Sequence, residues 1–132
     1  MAHILVVDDV DVVRLVISKI LKRDGHTVTE AGGGAAALDA ITRRIPDAVV
    51  TDLWMPTIDG LHLIETIKAR HPAVAIIAMS GGSPQHSQQD SLDRARLAGA
   101  AQLLMKPIDK DELVTAVRHA LDAAKITQGA RA

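Results

Sequence analysis

This 132-residue sequence predicts an α/β fold built on a parallel sheet, on three observations. Short β-branched or apolar runs alternate five times with segments of helical period, the pattern of strands joined by right-handed helical crossovers. Three of those runs are apolar almost throughout, as strands covered on both faces require. The connections are too short to hold a second domain, so helices must lie on both faces of one sheet.

The first strand is "HILVV" (3–7), and the segment 11–25 follows with Val12, Leu15, Val16, Lys19, Ile20 and Arg23 at helical spacing and Gly25 as its stop. "TVTEA" (27–31) alternates and is more polar, which suits an edge strand. A second helix occupies 34–46 and ends at Pro46; the third strand is "DAVVT" (47–51). The third helix, 60–72, sets Leu61, Ile64 and Ile67 on one face and places Lys68, Arg70 and His71 in its last turn, where cations suit the helix dipole. "VAIIAM" (74–79) is the fourth strand. The polar stretch 80–90 then reads as a mobile loop or a frayed helix start, before a helix over 91–100. "AQLLM" (101–105) and an amphipathic helix over 110–125, with Leu113, Val117, Ala120, Leu121 and Ala124 as its stripe, complete the domain at residues 1–125. Residues 126–132 are expected to be a disordered tail.

Composition removes several function classes. With 48% hydrophobic and 23% charged residues and a net charge of -1, the chain is globular and has no general attraction for nucleic acid or anionic membranes. No cysteine is present, so thiol chemistry, disulfides and thiolate metal sites are excluded. A single Trp and no Phe or Tyr remove the stacking platforms of single-strand binders. No secretory signal is legible, no apolar run approaches a membrane span, and the expected location is cytoplasmic. The six scattered histidines are expected at the surface or at helix ends rather than as metal ligands. Gly32-Gly33-Gly34 lacks the lysine of a phosphate loop.

In open parallel sheets, ligands bind at the carboxyl ends of the strands. Those ends carry Asp8 and Asp9, Asp52, Ser80 and Lys106. Singly, each has an ordinary explanation: a helix cap, a turn residue, a loop serine, a solvated lysine. Together, three carboxylates call for a cation, and oxygen donors of this kind suit Mg²⁺. An ammonium and a hydroxyl then have a purpose in holding phosphoryl oxygens, and an aspartate can itself be the nucleophile.

The segments "VVDD" (6–9), "VVTDLWMPTIDG" (49–60), "AMSGG" (78–82) and "AGAAQLLMKPI" (98–108), with the last amphipathic helix, resemble the response-regulator receiver domain of two-component signalling, in its stand-alone, single-domain type. The resemblance runs from His3 to about Lys125. It implies a flavodoxin-like (βα)5 fold with strand order 2-1-3-4-5. Asp52 is then the phosphoacceptor, with Asp8, Asp9, Asp52 and the backbone carbonyl of Trp54 holding Mg²⁺. Ser80 is the switch hydroxyl, and Lys106 pairs with the phosphoryl group ahead of a cis bond to Pro107. The implied donor is a histidine kinase or histidine phosphotransfer protein, and the implied output is a changed affinity for another protein. Such a chain is not an enzyme beyond its own phosphoryl transfer and autodephosphorylation.

Three features depart from the family pattern. Leu103 stands where receivers usually carry an aromatic ring that turns inward on activation. The stretch from Ser80 to Leu103 is longer than in compact members, and its ordering is expected to form part of the signal. Gly81 and Gly82 leave the phosphoryl position open to water, with Trp54 as a shield on the other side. A metal-dependent phosphatase would need an acid where Trp54 stands, and a flavodoxin would need a phosphate loop in place of Asp8-Asp9. The alternative with most in its favour is a phosphorylation-independent interaction module of the same fold.

Overall fold

The computed structural model describes residues 2–81 and 87–131; of Gln88 and residues 126–131 it describes the backbone alone. Five strands, β1 (His3–Val7), β2 (Thr27–Ala31), β3 (Ala48–Asp52), β4 (Ala75–Ser80) and β5 (Gln102–Met105), alternate with five helices. The helices are α1 (Asp11–Arg23), α2 (Gly34–Arg43), α3 (Gly60–Arg70), α4 (Gln88–Ala98) and α5 (Lys110–Arg131). All strand pairs are parallel and the order is β2-β1-β3-β4-β5, as the resemblance implied.

Alternation along the strands sorts the core into two layers. Leu5, Val7, Val49, Ile76 and Ala78 point to one face, where Ala37 and Ile41 of α2, Leu63, Ile64 and Ile67 of α3, and Ala95 of α4 cover them. Ile4, Val6, Val50, Ile77 and Met79 point to the other, against Ile17 and Leu21 of α1 and Leu113, Val117 and Ala120 of α5. β1, β3 and β4 are buried along their whole length, and β2, at the edge, is largely exposed.

Two expectations need correction. The stripe assigned to α1 faces outward: Val12, Leu15 and Val16 are exposed, and Ile17, Ser18 and Leu21 are buried. Apolar residues occur nearly all round this helix, so local spacing could not choose its inner face. His3 is not a surface residue but is buried in β1, bonded through its two ring nitrogens to the hydroxyls of Thr27 and Thr29, each at 3.0 Å. α4 starts at Gln88, inside the stretch read as a mobile loop or a helix start, because the Ser87 side chain caps it by accepting from Asp90 N at 3.1 Å. α5 runs from Lys110 to Arg131. No proline stops it, and a single Gly129 is tolerable among good helix formers. The expected mobility after Ser80 falls mainly on residues 82–86, which lie outside the described residues. Among the described residues, no helix is long and apolar enough to cross a membrane.

Candidate functional site

Sheet register assembles the site. Val7 is level with Thr51, so the residues that follow them, Asp8 and Asp52, stand side by side. Ser80 pairs with Met105, and Lys106 N donates to Ser80 O at 2.9 Å, which brings the ends of β4 and β5 together. The Lys106-Pro107 peptide is cis, as expected.

The Lys106 ammonium lies 3.0 Å from Asp8 Oδ2 and 3.4 Å from Asp52 Oδ2. Asp8 is fully buried and Asp52 only 6% exposed, whereas Asp9 is exposed. Asp8 Oδ1 accepts from Val10 N at 2.9 Å in the turn before α1, but it does not cap that helix, whose N-cap Val10 has no side-chain cap bond. Asp52 does not cap the next helix; Asp59 does, accepting from His62 N at 2.8 Å. Ser80 is fully buried at the end of β4 beside this group, and Gly81 next to it is exposed.

Burial pushes the Asp52 carboxyl up to about 6, Lys106 pulls it back, and the charges of Asp8 and Asp9 push it further up. Burial works against the Lys106 ammonium, but its hydrogen bond to Asp8 and the neighbouring Asp52 charge outweigh it and raise its pKa. One lysine therefore serves two carboxylates, and a third stands at the rim. The ligand oxygens of Asp8, Asp9 and Asp52 lie within 4.8 Å of one another, a group that could hold a metal ion. This acid-rich, oxygen-only donor set fits a hard divalent cation, which would relieve the repulsion that raises Asp52.

The backbone beneath Asp52 is tightly held. Gly60 opens α3 so close to it that an added Cβ would lie 2.1 Å from Asp52 O, and Gly60 N donates to Leu53 O at 2.7 Å. The loop between carries Thr57 at φ 69°, an uncommon conformation for a β-branched residue.

Two contributors escaped sequence reasoning. Arg14 Nη1 donates to the Asp8 backbone carbonyl at 2.8 Å, and the same guanidinium reaches Asp11 at 2.7 Å and Glu30 at 3.2 Å, tying the β1–α1 turn to α1 and β2. Ser91, fully buried, accepts from the Trp54 indole at 3.0 Å. Ser91 lies 37 residues from Trp54, and although Arg14 lies near Asp8 in sequence, its side chain bonds a backbone carbonyl, which no residue pattern marks. A cavity of about 600 Å³, lined by His26, Ile45, Asp47, Arg118 and Lys125 among others, lies apart and holds none of the expected site residues.

Residues 4–118 match the family described as the response regulator receiver domain. Among curated proteins, the chain is 39% identical over 116 residues to the DNA-binding transcriptional regulator NtrC of Escherichia coli K12, covering 88% of this chain and 24% of that protein. It is 29% identical over 118 residues to sporulation initiation phosphotransferase F of Bacillus subtilis, covering 89% and 92% respectively. Among solved structures, NtrX from Brucella abortus superposes with a TM-score of 0.90 at 32% identity, over 98% of this chain and 29% of that one. A receiver domain protein from Clostridium thermocellum does so at 0.87 and 30%, over 96% and 99%. The chain thus spans about a quarter of the length of its NtrC relatives.

Proposed function

The chain belongs to the response regulator receiver domain family, and from that premise we propose that it is a phosphoacceptor switch of a phosphorelay. Asp52 attacks the phosphorus of a phosphohistidine on a histidine kinase or histidine phosphotransfer protein. A P–O bond to the carboxylate forms, the P–N bond breaks, and the imidazole leaves with a proton from solvent. Lys106 and Ser80 hold the phosphoryl oxygens, and Asp8, Asp9, Asp52 and the backbone carbonyl of Trp54 are the groups that would hold Mg²⁺. When bound, that ion neutralises charge on the transferring group. Water later hydrolyses the acyl phosphate and restores Asp52.

The observation that carries this reading is the Lys106 ammonium shared between buried Asp8 and Asp52 at 3.0 and 3.4 Å. A cation poised beside a buried carboxylate favours its ionised, nucleophilic form and can then pair with the anionic group it accepts. Beside it, Val10, Val12, Leu15 and Val16 leave apolar surface exposed along the start of α1, suited to a docking partner that delivers the phosphoryl group. The functional unit is residues 1–125, acting in the cytoplasm, with its signal leaving by protein–protein contact.

Intact mass after incubation with acetyl phosphate or phosphoramidate and Mg²⁺ tests the reading. One metal-dependent phosphoryl adduct is expected, absent in Asp52→Ala. If neither these donors nor a cognate kinase labels the protein, the phosphorylation-independent module, which Leu103 in place of an aromatic ring favours, takes its place.

A further inference from the structure

We infer that Trp54 is a positioning residue for α4, and that its indole carries the state of the acid pocket to that helix; the coupling rests on the phosphoacceptor reading of Asp52. Trp54 follows Asp52 by two residues. The backbone between them has little freedom: Leu53 N is bonded to Met79 O at 3.1 Å, Leu53 O to Gly60 N at 2.7 Å, and Gly60 presses against Asp52 O. Charge arriving at Asp52 therefore meets a rigid strand end. The nearest group with both freedom and reach is the indole, half-buried against the α2–α4 side of the core.

Its N–H donates to Ser91 Oγ at 3.0 Å. Ser91 Oγ donates onward to Ser87 O at 2.9 Å, and Ser87 Oγ accepts from Asp90 N at 3.1 Å. The indole thus ends a chain of hydrogen bonds that includes the cap of α4. The helix buries few side chains, since Ser91 and Ala95 are its only fully buried residues among those described. α5 by contrast buries Leu113, Ala116, Val117 and Ala120. A polar bond that would matter little on α5 is a principal tether on α4.

β5 offers no equivalent lever. Leu103 packs against the same core cluster but has no polar atom with which to hold α4. Trp54 is the single aromatic side chain in the sequence and combines a large body with one directional donor. When a phosphoryl group and its counter-ion occupy the pocket, the backbone stays fixed, the indole turns about its side-chain torsions and leaves Ser91, and the first turn of α4 loosens.

Hydrogen exchange over residues 87–95 of the full chain, with Mg²⁺ and with or without beryllofluoride as the phosphoryl mimic, tests this. Trp emission and ¹⁹F NMR are recorded on the same samples. In the wild type, beryllofluoride should change Trp54 emission and raise first-turn exchange by about fivefold or more. In Ser91→Ala, exchange should be raised before any ligand is added and respond less than about twofold, with beryllofluoride still bound and α5 protection unchanged. Trp54→Phe, which keeps a ring but loses the donor, should raise α4 exchange in the free protein as well. If free Ser91→Ala exchanges like wild type, the tether is overturned. If ¹⁹F NMR shows bound mimic while emission and α4 exchange stay unchanged, the coupling is overturned. If no mimic binds, the phosphoacceptor reading falls and takes the coupling with it, and the free-protein comparison still decides the tether.

Discussion

The two ends of the sheet bury polar groups in opposite ways. At the amino end, His3 has a hydroxyl at each ring nitrogen, and its backbone N–H donates to Asp47 Oδ2 at 2.8 Å. Asp47 N in turn donates to His3 O at 2.8 Å. His3 and Asp47 are thus fully paired and hold strands together, while the neighbouring His26 Nε2 is buried without a hydrogen-bond partner, 3.4 Å from Asp24 Oδ2. At the carboxyl end, two buried carboxylates share one lysine with a third carboxylate at the rim, and burial raises Asp52 to about 6. That end spends stability to keep a charged group ready for a ligand. The paired groups around His3 hold strands together, and the crowded carboxylates at the other end mark the place where a cation or phosphoryl group would bind.

The largest effect on this contrast should come from Lys106→Met. It leaves fully buried Asp8 without its cation and should destabilise the metal-free protein by about 2–4 kcal/mol in urea unfolding, with millimolar Mg²⁺ restoring part of the loss. A variant as stable as wild type would mean that the lysine is not what compensates the pocket.

Asp52→Asn should act in the opposite direction. The folded carboxyl sits near 6 against an ordinary 3.8, so stability is lost as pH rises from about 4 through 6, and the penalty is fully present above that. The variant should be more stable than wild type by about 1–3 kcal/mol at pH 7.5, and the difference should shrink to nothing as pH falls to about 4. A destabilised Asp52→Asn at neutral pH would contradict the strain assigned to this end.

His3 should show the smaller, inverse dependence. Burial lowers its pKa below 6.5, Arg44 adds to that, and Asp47 opposes it. The unfolded chain therefore takes up the proton first, and stability contributed by neutral His3 is present above pH 6.5 and is lost as pH falls toward the lowered folded value. Since Asp52 gains stability as pH falls through 6, the two slopes oppose each other in wild type. His3→Gln should expose the Asp52 slope, and Asp52→Asn the His3 slope, in unfolding midpoints measured between pH 4.5 and 7.5. Parallel profiles for both variants would remove the contrast between the ends.

Much of this architecture is legible in the residue pattern. β-branched runs and helical periods placed the five strands and five helices to within a few residues, and the polar alternation of "TVTEA" marked β2 as an edge. Asp8, Asp9, Asp52, Ser80 and Lys106 were recognisable because each stands just beyond or at the end of a strand, and parallel strands send those ends to one side. The sequence by itself determined these things because they depend on period and position along the chain. The tertiary structure alone decided which side of α1 is buried, since Val12, Leu15 and Val16 compete on equal hydrophobic terms with Ile17 and Leu21 until the sheet selects a face. It alone buried His3, held Asp8 through Arg14, and set Ser91 under the Trp54 indole. Those contacts join residues on different elements, and no local pattern encodes the phase at which one element meets another.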